Sequence, residues 1–463
     1  MKLFELGFIG LAAALSVAAQ TDPGPRTGTE TGWGQPISGL SPAELASFKQ
    51  GIARFADVVS VNGTEPGAAG KGLGPRFNLN SCGGCHAQPS VGGTSPRVNP
   101  QIAVAKEYGA ENSIPAFIKA DGPVRVVRFS RGPGGPPPGL GPGPGGRGPG
   151  GRGAPGRGPA GGPPPGPPDG GVHDLFVIAG RKDAAGCAIS QPDFAAEIAR
   201  NNAFFRIPTP LYGAGLIEAI SEASIMNNLR SDRQLKNSLG IGGRENRNQN
   251  DGTISRFGWK AQDKSLVSFA AEALNVEEGV TNDQFPQERE DTPGCLFNAT
   301  PEDHVIRSGS GMTEVTAVAE FMRFLAPPSP GPSTESAKRG KQTFSSIGCA
   351  MCHTPALRTG KSETAQMNEK WVPLYSDLAL HDMGPGLEDF IAQGQANGRD
   401  WRTAPLWGLG QRIFFMHDGR TSDLSVAIHE HGTAGSEAYQ TTRKFEALKA
   451  DEKQDLLNFL RSL

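Results

Sequence analysis

Several stretches of this chain carry their apolar residues at helical spacing. Leu456, Leu457, Leu460 and Leu463 share one face, which predicts a helix over residues 450–463. Residues 335–346 bring Ala337, Phe344 and the following Ile347 into such a pattern and run directly into Cys349. A third helix is predicted over residues 312–325, around Phe321-Met322-Arg323-Phe324-Leu325. Near the N-terminus, Ser41-Pro42-Ala43-Glu44 combines a hydroxyl cap, a proline at the first helical position and a glutamate able to reach back to the cap amide; it opens a helix to about residue 59. Two shorter apolar runs stand between these helices, at Leu175 to Ile178 and at Leu216-Ile217-Glu218-Ala219-Ile220.

Two segments break the pattern. Residues 131–171 are almost entirely Gly, Pro and Arg and cannot bury enough apolar surface to offset their ordering entropy. They read as a disordered insertion, with Arg131, Arg147, Arg152 and Arg157 on a solvated spacer. Ala326-Pro327-Pro328-Ser329-Pro330-Gly331-Pro332 reads as a stiff linker over 326–334. It divides the chain into residues 20–325 and 335–463. The halves look like duplicates: Pro210-Leu211-Tyr212-Gly213-Ala214-Gly215 matches Pro405-Leu406-Trp407-Gly408-Leu409-Gly410, and a helix closes each half.

The 463 residues are 37% hydrophobic and 20% charged, which permits folding; the formal charge of −2 supplies no global field for nucleic acid or anionic lipid. Lys2, the short apolar run Leu6 to Val17 and the small residues Val17-Ala18-Ala19 predict a signal peptide over 1–19, too short to favour a membrane span. The expectation is a periplasmic or otherwise exported protein with no span after cleavage. In such a compartment Cys187 and Cys295 are candidates for a disulfide.

The other four of the six cysteines lie in Cys82-Gly83-Gly84-Cys85-His86 and Cys349-Ala350-Met351-Cys352-His353. Cys-x-x-Cys presents two thiols to the two vinyl groups of one haem edge, and the adjacent histidine reaches the iron. An all-cysteine zinc site would not require a histidine after each pair, and a thioredoxin-like motif would need a βαβ context absent here. The expected fold is mainly α, with two cytochrome c-like haem domains and the Gly/Pro insertion in the first. Small cytochromes c cross an N-terminal and a C-terminal helix beside the haem, which suits 335–463.

The chain resembles the bacterial di-haem oxidoreductases, relatives of the di-haem cytochrome c peroxidases that are also grouped as thiol oxidoreductases. The carrying residues include Gly74-Pro75-Arg76-Phe77-Asn78, Arg256-Phe257-Gly258-Trp259-Lys260, Leu380-His381-Asp382-Met383-Gly384, Arg402-Thr403-Ala404-Pro405 and Phe415-Met416-His417-Asp418-Gly419-Arg420. The resemblance implies two covalent haem c groups, one storing an electron and the other meeting peroxide. It also implies a small cytochrome or similar donor and a small-molecule oxidant, and it leaves open whether a calcium ion sits between the domains, as in the related peroxidases. A pure electron carrier and a gas-binding sensor are the rival functions.

In those peroxidases the second haem takes its distal ligand a little beyond a His-Asp-Gly motif; from His417 this lands on His431, with His429 or Met383 as alternatives. Their loop after the first haem motif holds a histidine, whereas residues 87–106 hold none. His173, just beyond the insertion, is the candidate for the first iron. His381 and His417 are expected to orient loops near the haem. Glu218, a carboxylate in an apolar run, is the candidate proton carrier, expected to have a raised pKa. Trp259 is a candidate electron relay, with an aromatic core residue as the alternative.

Overall fold

A computed structural model describes residues 21–26, 33–130, 172–304 and 311–463. The expected signal peptide and the Gly/Pro insertion lie outside the described residues. Helix accounts for 34% and strand for 12%, so helices dominate the regular structure, and loops exceed both. Among the described residues no helix is long and apolar enough to cross a membrane.

Two crossed helix pairs frame the molecule. Pro42–Ala56 begins at the expected capping box, in which Ser41 N donates to the Glu44 carboxylate at 2.8 Å. It packs on Glu314–Phe324, with Phe55 and Phe321 ring centroids 4.6 Å apart. Gly51 makes the approach possible: a Cβ there would lie 2.3 Å from the Ala317 carbonyl oxygen. In the second pair, Glu335–Ile347 crosses Ala450–Ser462, with Phe344 and Phe459 5.3 Å apart. Gly340 plays the same part, its Cβ position lying 1.9 Å from the Asp455 carbonyl oxygen. Leu456, Leu457 and Leu460 are buried in this seam, each worth about 2 kcal/mol of apolar burial.

The repeated Pro-Leu-aromatic-Gly element also has one geometry. Gly213 (φ 69°) and Gly408 (φ 74°) both take the left-handed conformation and open a helical turn. The copies meet, since the Trp407 ring occupies the space beside Gly213. The linker forms neither helix nor strand; Ala326 N donates to Gln35 O and Gly331 N to Ser462 O, which binds it to both halves.

Small antiparallel sheets support the loops. Val126–Phe129 pairs with both Val172–His173 and Ala203–Arg206. Leu380–Asp382 pairs with Asp400–Arg402 and sets His381 opposite Trp401. Cys187 and Cys295 are buried and joined by a disulfide of 2.13 Å.

Candidate functional site

In the second half, the helix Glu335–Ile347 ends at Gly348 (φ 107°), a backbone turn that delivers Cys349, Cys352 and His353 to one wall of a cavity of about 220 Å³. His431 lines the same cavity from the end of the helix Leu424–Glu430. Each imidazole is oriented by a carbonyl: His353 Nδ1 lies 3.1 Å from Tyr375 O, and His431 Nδ1 lies 2.7 Å from Ala427 O. A carbonyl only accepts, so Nδ1 carries the hydrogen and Nε2 keeps its lone pair for a metal. Burial lowers His353 to about 4, helped by the nearby His431, and burial likewise lowers His431; both rings are neutral at pH 7, as ligation requires.

The rest of the wall suits haem. Leu406, Phe415, Ala427 and Leu460 give it apolar faces. Arg412 supplies a buried guanidinium whose Nε has no hydrogen-bond partner, and burial holds its pKa down to about 10. Such an orphaned donor on a cavity wall is suited to a carboxylate, which a haem propionate provides. The residues therefore fit a haem held by Cys349 and Cys352. Burial pushes the Cys349 thiol up to about 12, the opposite of the lowered pKa that a reactive redox thiolate needs.

His381 and His417 both line the cavity. His381 is clasped by Asp377 (3.0 Å) and Glu437 (2.6 Å) and lies 3.8 Å from Cys352 Sγ. Glu437 also accepts from the amides of Gly242, Gly243 and Asp382, tying three loops behind the attachment site. His417 stacks on Trp401 with centroids 3.8 Å apart, and burial lowers its pKa well below the usual value. Met383 lines the cavity, whereas His429 is exposed and bonded to Glu446.

In the first half, Cys82 and Cys85 bound one helical turn, and His86 Nδ1 lies 2.9 Å from Gly93 O, the counterpart of the His353 arrangement. Burial raises both thiols and lowers His86 to about 4. The helix Leu266–Glu278 ends beside them. Cys82 Sγ lies 3.2 Å from Glu278, whose charge is met by Arg54 at 2.6 Å. Glu277, one position earlier, lies within electrostatic reach of Cys85, and burial raises its pKa to about 8.

Glu218 is placed otherwise than expected. Its carboxylate caps the helix Leu266–Glu278 by accepting from Leu266 N (2.8 Å) and pairs with Arg323 (3.1 Å); it does not line the large cavity. Glu277, which the sequence reading did not single out, is among the carboxyls that burial raises. For His173 only the backbone is described, paired with Val127 at the end of the strand Val172–His173. Trp259 lines both the large cavity and a smaller adjoining one that also contains Thr209, whose backbone is hydrogen-bonded to His86. Among the described residues no group of three or more His, Cys, Asp or Glu side chains could hold a metal ion.

The profile of the family described as "Di-haem oxidoreductase, putative peroxidase" matches residues 175–463. The chain belongs to that family. Its match takes in Cys349, Cys352, His353 and His431. Among solved structures, the chain is similar to the hydrazine synthase of Kuenenia stuttgartiensis at 16% identity, over 37% of this chain and 59% of that one, with a TM-score of 0.23. A MauG-like protein associated with microbial copper homeostasis gives 17% identity over 54% and 91%, TM-score 0.29. The diheme peroxidase BthA from Burkholderia thailandensis gives 13% over 55% and 86%, TM-score 0.27. Likeness at that level carries no mechanistic weight. No curated protein matches the sequence.

Proposed function

We propose that this di-haem oxidoreductase binds two c-type haems covalently, at Cys82/Cys85 and Cys349/Cys352, and passes electrons from a small cytochrome or similar donor to a small oxidant such as hydrogen peroxide in an exported compartment. The observation that supports the reading is that His353 and His431, each with Nδ1 at a carbonyl, line one cavity together with two cysteines. When bound, haem would supply a one-electron centre whose potential the residues holding it would set, two histidines keeping it low. Cys349 and Cys352 would fix its edge, and Arg412 would pair with a propionate. With two histidine ligands the second site would store an electron, and substrate would meet the first.

At the first site the proton chemistry falls to Glu277 rather than Glu218. A carboxyl with a pKa near 8 is protonated at pH 7, so it can give a proton to a substrate oxygen and take one back. Trp259, lining both cavities, is the candidate route between the two sites.

Non-catalytic electron transfer is the second reading, favoured by the same His431, which would close the second iron. Stopped-flow mixing of one-electron-reduced, haem-loaded protein with peroxide separates the two. Fast oxidation sustained by reduced cytochrome c supports a peroxidase; no reaction, with both haems low-spin, refutes it and leaves the carrier.

A further inference from the structure

The segment Gly258-Trp259-Lys260 is sewn to the strand Asp400–Arg402: Arg402 N donates to Trp259 O at 2.9 Å, and Arg402 Nε donates to Gly258 O at 2.8 Å. From this seam the Lys260 side chain runs inward to complete burial. Its ammonium meets only oxygens and a ring face. It lies 2.8 Å from Asn397 O, 3.1 Å from Asp400 O, 3.3 Å from Gly398 O and 3.1 Å from Asp389 Oδ1, with the Trp401 centroid at 3.9 Å.

Three carbonyl oxygens from one turn converge here with a carboxylate. Their dipoles repel one another unless a positive charge sits at the centre, and an aromatic face adds to the preference for a cation. Arg206 cannot fill that centre, because it binds the other Asp389 oxygen at 2.7 Å and holds the carboxylate from its far side. We propose that the turn formed by residues 397–400, with Asp389, is a site for a small hard cation, and that its occupant is the Lys260 ammonium in place of a free ion. A tethered cation does what a free one could not: it fastens the first-half segment bearing Trp259 to the second-half sheet bearing Trp401. Burial lowers Lys260 to about 8, so the ammonium stays charged at pH 7. The inference stands on this geometry and does not depend on the haem reading.

The test is thermal unfolding of full-length, haem-loaded Lys260→Ala in potassium, ammonium, methylammonium or calcium chloride, with choline chloride at equal ionic strength as reference. In choline the variant should melt about 10 °C below the parent, because a buried carboxylate and three carbonyls lose their cation. At least one of the small cations should restore half or more of that loss saturably, with no such effect on the parent protein. Lys260→Met, which fills the channel without charge, should melt as low and gain nothing from any cation. The proposal is overturned if no cation restores Lys260→Ala beyond the choline reference, or if Lys260→Met melts with the parent.

Discussion

Replacing Gly340 by alanine tests the device on which the second helix pair is built. The added Cβ would lie 1.9 Å from Asp455 O and 2.8 Å from the Phe459 Cβ, where ordinary contact begins at 3.4 Å. The oxygen belongs to a helix backbone and cannot swing aside, so the helices Glu335–Ile347 and Ala450–Ser462 must part by about 1.5 Å, the difference between 1.9 and 3.4 Å. A gap of that size forfeits up to half of the dispersion contact across the seam, where Phe344, Phe459, Leu456 and Leu460 meet. The loss is roughly 4 kcal/mol, against about 1 kcal/mol gained from the helix propensity of alanine over glycine. A net cost of about 3 kcal/mol should lower Tm by about 10 °C. Calorimetry read together with the Soret band gives the comparison. A Tm within about 2 °C of the parent would refute the claim that backbone contact at Gly340 sets the helix spacing. Gly51→Ala, facing Ala317 O at 2.3 Å, should behave alike in the first half.

Three further outcomes follow from the structure. His431→Leu should leave haem bound through Cys349 and Cys352 but convert one of the two haems from low-spin to high-spin, read by absorbance and electron paramagnetic resonance; an unchanged spectrum removes His431 as a ligand. The Cys187–Cys295 bridge spans a separation of 108 residues, and its loss through the double alanine variant should cost about 4.8 kcal/mol by loop-closure entropy, measured by urea unfolding. Glu277 has a folded pKa raised by burial to about 8, above its unfolded value, so it binds more protons folded than unfolded and stability falls as pH rises from about 4.5 toward 8. Glu277→Gln should flatten that decline in a Tm-against-pH series and be the more stable form at pH 8; parallel curves would show the carboxyl titrating normally.

How far the site was legible depended on how local each signal is. The attachment triplets, the capping box at Ser41 and the helix entering Cys349 are read over a few neighbouring residues, and the structure contains those local features. His431 was reached from a motif distance carried by the family resemblance, and the fold sets it on the same cavity as His353. Glu218 has apolar neighbours in the chain, while its partners in the fold, Leu266 N and Arg323, are remote in sequence and gave no local signal. Arg402 and Arg412 gave no hint of their burial, since charged residues lie at the surface by default and only the surrounding loops exclude water from these two.

The sequence by itself determined the two Cys-x-x-Cys-His motifs and the helical periods, because thiol spacing and apolar repetition act within one or two turns. It also marked the duplication, since the same short element recurs in the same order. Only the tertiary structure decided which carboxyl is desolvated, which guanidinium keeps an unbonded donor on the cavity wall, and which ammonium sits in a cage of carbonyls. Those properties depend on dielectric surroundings and convergent dipoles, and both are made by chain segments that meet only when the two halves fold against each other.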